Sequence, residues 1–97
     1  MKLSQKEITE KLKSLQGWQL NKDTKVIFKK YKFNNFKNAF LWMANIAEEA
    51  ENLNHHPEWK NVYNTVEVVL TTHDVSGLSD KDFTLALLMD REFTKFL

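Results

Sequence analysis

A chain of 97 residues with 42% apolar and 12% aromatic content can bury one hydrophobic core but not two, so residues 1–97 are read as a single domain. Without cysteine it forms no disulfide and no thiolate-bound zinc or iron–sulfur centre, and 14 Lys and Arg against 13 Asp and Glu leave a charge of +1, too small to gather nucleic acid or an anionic membrane. Residues 1–20 lack a signal-like apolar stretch and no uncharged run reaches the ~20 residues that span a bilayer, which points to the cytoplasm.

Residues 4–16 read as a helix. Ser4 and Glu7 fit a capping box, Leu3 and Ile8 a hydrophobic staple, and Ile8, Leu12 and Leu15 an apolar stripe that stops at Gly17. Trp18 to Leu20 is a short extended run and Asn21 to Thr24 a polar turn, leading by a hairpin into a β-rich run from Lys25 to Phe33. In that run Ile27, Tyr31 and Phe33 share one parity, interrupted by Lys29, while Val26 and Phe28 share the other with Lys30 and Lys32. Lysines scattered in this way read as edge protection rather than as a polyanion site.

From Asn35 the period changes to 3.6. Phe36, Ala39, Phe40, Met43, Ile46 or Ala47, Ala50 and Leu53 form the stripe of the longest helix, with Leu41 and Trp42 off it, either as a partner surface or further layer, or as part of a wide core face. Pro57 biases His56 towards extended backbone, so this helix should end near Asn54. Glu58 to Lys60 then reads as a short strand, Asn61 to Asn64 as a turn, and Thr65 to Thr72 as a strand whose Val66, Val68 and Leu70 oppose Thr65, Glu67, Val69 and Thr71. Ser79 and Asp82 make a second capping box, flanked by the staple pair Leu78 and Phe83, and open a last helix. Its stripe is Phe83, Ala86, Leu87, Phe93 and Leu97, broadened by Leu85, Leu88, Met89 and Phe96. The order α-β-β-α-β-β-α predicts an α+β fold: a four-stranded antiparallel sheet with helices packed on one face and the other open to solvent, substrate or another subunit.

All three histidines, His55, His56 and His73, fall in one window at positions where elements end, with Glu51 and Asp82 near them. Side chains at element ends combine a rigid backbone with access. If the long helix lasts to His55, the i, i+4 spacing sets the Glu51 carboxylate beside that ring, an arrangement suited to general acid–base chemistry. Plainer readings exist. Glu51 serves equally as a solvated helix charge, His55 as a cation favoured by the helix dipole, and Asp82 as the N3 member of its capping box. Glu51, His55, His56 and His73 are acceptable zinc ligands, but adjacent histidines point apart and no HExxH spacing occurs, so no metal is assigned. No nucleophile elbow marks an activated serine.

The run Glu51-x-x-x-His55-His56-Pro57, with Trp59, Tyr63, Thr72-His73 and Gly77-Leu78-Ser79-x-x-Asp82, resembles the pterin-4a-carbinolamine dehydratases, and the resemblance extends over essentially the whole chain. It implies a hydro-lyase that needs no cofactor and turns a 4a-hydroxytetrahydropterin into the quinonoid dihydropterin, with His55 and His73 as the acid–base pair. By the same resemblance His56 positions the substrate, Glu51 and Asp82 orient or tune the rings, and Asn54 to His56 with Thr71, Thr72, His73 and Asp74 line the pterin pocket against a Trp59 wall. Many members carry Asp before the histidine pair; Asn54 here can hydrogen-bond but cannot ionise. A homodimer or homotetramer is implied as well. A non-catalytic oligomeric binding module on the same fold is the competing reading. The transcription-factor binding of some animal members has no independent support in these residues.

Overall fold

Alternation in the two inner strands sets the layers of the computed structural model, which describes residues 1–97. Strand β2 (Ile27–Lys32) pairs antiparallel with β4 (Thr65–Leu70), β4 with β3 (Glu58–Val62), and β2 with the two-residue β1 (Gln19–Leu20), giving the order β1-β2-β4-β3. The register aligns Ile27 with Leu70, Lys29 with Val68 and Tyr31 with Val66, and Trp59 opposes Val68 from the other side. That row faces helices α1 (Gln5–Leu12), α2 (Phe36–Leu53) and α3 (Asp80–Phe93), and its apolar members Ile27, Tyr31, Val66, Val68 and Leu70 are fully buried or nearly so. The opposite row carries Phe28, Val69 and Glu58, then Lys30, Glu67 and Lys60, so the uncovered face mixes alternating charge with modest apolar area. The architecture is the expected α+β arrangement in the expected order.

Several boundaries differ from expectation. Helix α1 stops at Leu12, because the N–H groups of Lys13, Ser14 and Leu15 bond three residues back, to Glu10, Lys11 and Leu12, tightening the chain out of α geometry. The Asn21 Oδ1 takes the N–H groups of Lys25 and Val26 at 2.9 and 3.0 Å, so β2 begins only at Ile27. Strand β3 runs on to Val62, and the turn is confined to Tyr63, in the left-handed region at φ 51°, and Asn64. Strand β4 ends at Leu70, and Thr72 keeps only an isolated bridge to Gly77.

The long helix is rotated relative to its apolar stripe. Its buried arc is Ala39, Trp42, Ile46 and Ala50, whereas Phe36 and Phe40 are exposed, their rings 5.9 Å apart. The cause is a second neighbour: α2 packs on α3 as well as on the sheet, so Trp42 belongs to the core and not to a partner surface. Its indole N–H donates to the Met89 carbonyl at 3.1 Å, while Leu41 stays exposed. Truncating such a buried indole costs ~3–5 kcal/mol. On α3 the buried row is Phe83, Leu85, Ala86 and Met89, with Leu87 and Leu97 left outside.

The lysines of β2 divide. Because β1 covers only Ile27 and Phe28, Lys30 and Lys32 stand along an open border, consistent with edge protection. Lys29 points inward instead. Its ammonium donates to Asp90 of α3 and to the Gln16 carbonyl, each at 2.8 Å, and lies 4.6 Å from the centre of the Tyr31 ring. Asp90 also accepts from the Trp18 indole at 3.2 Å and from the Tyr31 hydroxyl. Burial first, and the Asp90 carboxylate second, push the Tyr31 hydroxyl well above its ordinary value of 10.0, so it stays protonated.

Candidate active site

The site is assembled where three elements end. At the end of α2, Asn54 adopts the left-handed conformation (φ 52°, ψ 44°), its N–H closing on the carbonyls of Ala50 and Glu51 and that of His55 on Ala50. Asparagine tolerates this region better than other non-glycine residues. The chain then extends into Pro57, and extension sends consecutive side chains to opposite sides. His55 turns inward and is buried; His56 turns outward and is exposed.

This exchanges the expected partner. Glu51 bonds His56, Oε2 to Nε2 at 2.5 Å, rather than His55, because the left-handed residue ends the i, i+4 geometry that would bring Glu51 to His55. His55 bonds Asp82, Nε2 to Oδ1 at 2.6 Å, across the gap to the first turn of α3. His73 opens a 3-10 turn (His73–Val75) after β4 and bonds Glu58 of β3, Nε2 to Oε2 at 3.0 Å. Each imidazole therefore has a carboxylate of its own. The pairs differ in burial: the Asp82 side chain is wholly buried, whereas the His73 side chain is 81% exposed and that of His56 59%.

Asp82 accepts three hydrogen bonds. Besides His55 on Oδ1, its Oδ2 takes the Ser79 N–H at 3.0 Å and the Thr72 hydroxyl at 2.7 Å. A carboxylate is acceptor-only, so the proton of the histidine it meets sits on Nε2. The His55 Nδ1 has no partner within the protein, yet no buried side-chain nitrogen or oxygen is left without one. That Nδ1 is accordingly open to solvent.

Asn54, His55, His56, Thr71, Thr72, His73, Asp74 and Lys81 line a cleft of about 260 Å³ without a hydrophobic wall. The three histidines and the expected pocket residues at 54 and 71–74 thus come together. Glu51 and Asp82 stand beside and behind their rings. Trp59 does not take part: it faces the helical layer, its ring 6.1 Å from that of Trp42. Three depressions are larger, two of about 410 and 400 Å³ along α1 and α3 on Leu15, Phe83, Leu87 and Phe93, and one of about 280 Å³ that adjoins the cleft at Thr72, Asp74 and Lys81, but none contains a histidine. Nor do three His, Asp or Glu side chains converge anywhere as a metal-ligand set. Sequence reasoning missed Glu58 and Lys81. The signal for Glu58 lay in register: it opposes Val69, which shares a strand face with Thr71 and the parity of His73.

The sequence profile of the family described as pterin 4 alpha carbinolamine dehydratase matches residues 1–92. A Sinorhizobium fredii protein named "Putative pterin-4-alpha-carbinolamine dehydratase" is 51% identical over 90 residues, covering 93% of this chain and 86% of its own. A Jannaschia protein of the same name is 55% identical over 75 residues, covering 77% of this chain and 76% of its own. Among solved structures, the transcriptional coactivator/pterin dehydratase from Brucella melitensis superposes with a TM-score of 0.92 at 40% identity, covering 95% of this chain and 98% of that one.

Proposed function

The chain belongs to the pterin 4 alpha carbinolamine dehydratase family, and from that premise and the cleft we propose that it is a hydro-lyase acting on a 4a-hydroxytetrahydropterin. The observation that carries the proposal is the convergence of His55, His56 and His73 on one cleft, each held by its own carboxylate. The reaction needs two proton transfers. The N5 lone pair forms a C=N bond as the C4a–O bond breaks, the hydroxyl leaves as water with a proton from an acid, and the resulting cation gives a ring N–H proton to a base. The products are water and the quinonoid dihydropterin.

His55, with Nε2–H committed to Asp82, has only Nδ1 to offer and is assigned as the base. His73, exposed enough to exchange protons with water, is assigned as the acid, and His56 with Glu51 positions the substrate. Asn54, Thr71, His73 and Asp74 supply polar edges for the pterin ring, and tetrahydropterin recycling is the context in which such a product is consumed. Imidazole acid–base groups of this kind contribute ~10²–10⁴-fold each.

A cytoplasmic homodimer or homotetramer is part of the same reading. It is supported by a sheet with one uncovered face and by the absence of any helix long and apolar enough to cross a membrane. Sedimentation of the wild-type chain as a monomer at all concentrations would remove the oligomer.

The decisive measurement is stopped-flow dehydration of a chemically generated 4a-hydroxytetrahydropterin. We expect acceleration over the buffer rate and its near-complete loss, about 100-fold or more, in His73→Ala. An uncatalysed rate with the wild-type chain would refute the enzyme and leave the binding module standing. That second reading is favoured by one observation, the coactivator role in the name of the Brucella melitensis structure, together with the exposed Phe36, Phe40 and Leu41 on α2.

A further inference from the structure

Resemblance sets Thr72 among the residues that line the pterin pocket, but its hydroxyl hydrogen is already committed. Asp82 is fully buried, and its Oδ2 accepts from the Ser79 N–H and from the Thr72 hydroxyl. Thr72 therefore donates to Asp82 Oδ2 at 2.7 Å and has no second hydrogen to give. Its Oγ1 also lies 2.7 Å from the Ser79 Oγ, and in that contact the proton must come from Ser79. The order is fixed along the chain: Ser79 donates to Thr72, Thr72 to Asp82, and His55 to the other oxygen of Asp82. The main chain braces this arrangement, since Thr72 N–H bonds the Gly77 carbonyl at 2.8 Å and Ser79 N–H bonds Asp82 at 3.0 Å.

We propose that Thr72, backed by Ser79, is a positioning residue: its hydroxyl holds Asp82 in the orientation that keeps His55 as the Nε2–H tautomer, with Nδ1 as the one acceptor offered to the cleft. The inference rests on the dehydratase reading for its kinetic consequence, though not for its structural one. Thr72→Val removes the hydroxyl and leaves Asp82 Oδ2 with a single donor. A group that touches no substrate and orients a reactive histidine through its carboxylate is expected to act on kcat, and the loss of comparable outer partners of metal-bound histidines costs ~10–100-fold.

The test combines kinetics with ¹⁵N-histidine NMR on the full chain. In the wild type, His55 should show the Nε2–H pattern with a slowly exchanging ring proton. In Thr72→Val that proton should broaden or vanish, kcat should fall about tenfold and KM should stay unchanged, while Thr72→Ser restores both readouts. A rise in KM at unchanged kcat would instead make Thr72 a substrate contact and overturn the proposal. So would an Nδ1–H tautomer in the wild type, or an unaltered ring proton in Thr72→Val. If Thr72→Val fails to fold, Ser79→Ala serves, because it removes only the proton given to Thr72 and keeps the backbone donor on Asp82. It should weaken the ring-proton signal and lower kcat about threefold, a loss of well under one proton-transfer catalyst; no change in either would reject the role. A chain that shows the expected spectra without dehydrating its substrate would defeat the dehydratase reading and leave the positioning role intact.

Discussion

Helix α3 presents two carboxylates two turns apart, Asp82 and Asp90, and each collects three kinds of donor. Asp82 gathers His55, Thr72 and the Ser79 N–H; Asp90 gathers Trp18, Lys29 and Tyr31. The geometry is alike and the chemistry is not. Around Asp90 sit an indole, an ammonium and a phenol whose proton burial holds more firmly than usual, and none of them has a second nitrogen to offer. Around Asp82 sits one imidazole with a second nitrogen open to solvent. A buried carboxylate becomes a support for catalysis or a fastening for the fold according to what donates to it.

The largest expected effect is at the first centre. Asp82→Asn should lower the dehydration rate on the order of 100-fold, because an amide cannot hold His55 in one tautomer. Far-ultraviolet circular dichroism should be unchanged, and retention of activity within a few-fold would erase the contrast between the two carboxylates. Asp90→Asn should do the reverse. It leaves the partly buried Lys29 ammonium without its counter-charge, and urea unfolding should show a loss of about 2 kcal/mol with kcat unaltered. Equal losses of activity in the two variants would show one coupled network rather than two centres.

The smallest effect is in alkali and concerns Tyr31. Its folded pKa is raised above the unfolded value of 10.0, so the folded chain keeps a proton that the unfolded chain releases. Its contribution is complete below pH 10 and declines as pH rises beyond it, by about 1.4 kcal/mol per pH unit. Tyr31→Phe should cost about 1 kcal/mol near neutrality and then narrow its deficit against the wild type above pH 10. Parallel stability curves would place Tyr31 outside the Asp90 cluster's energetics.

The same contrast shows what could be read before the structure. Element order, the capping boxes at Ser4 and Ser79, the stop at Pro57 and the clustering of three histidines follow from local rules, and each is present. What failed to show were pairings that depend on tertiary approach. Lys29 broke its strand pattern visibly, and an inward lysine between Ile27 and Tyr31 demands a counter-charge, but nothing local marks Asp90 as that partner. Trp42 looked misplaced because a single stripe cannot describe a helix packed on both a sheet and another helix. Helical spacing brings Glu51 to His55 only if the helix lasts that far, and a single left-handed residue turns Glu51 to His56 instead.

That residue, Asn54, carries a larger consequence than its exposed, unbonded side chain suggests. Its backbone dihedrals determine which of two identical neighbours goes inside, so the asymmetry between His55 and His56 is conformational in origin and owes nothing to a charge at position 54. Aspartate or glycine could supply the same bend, so the replacement of an acid by an amide here leaves the backbone geometry as it is. A β-branched residue could not supply it without strain, and the error would propagate to two rings at once. The addresses of both histidines are written in one pair of torsion angles.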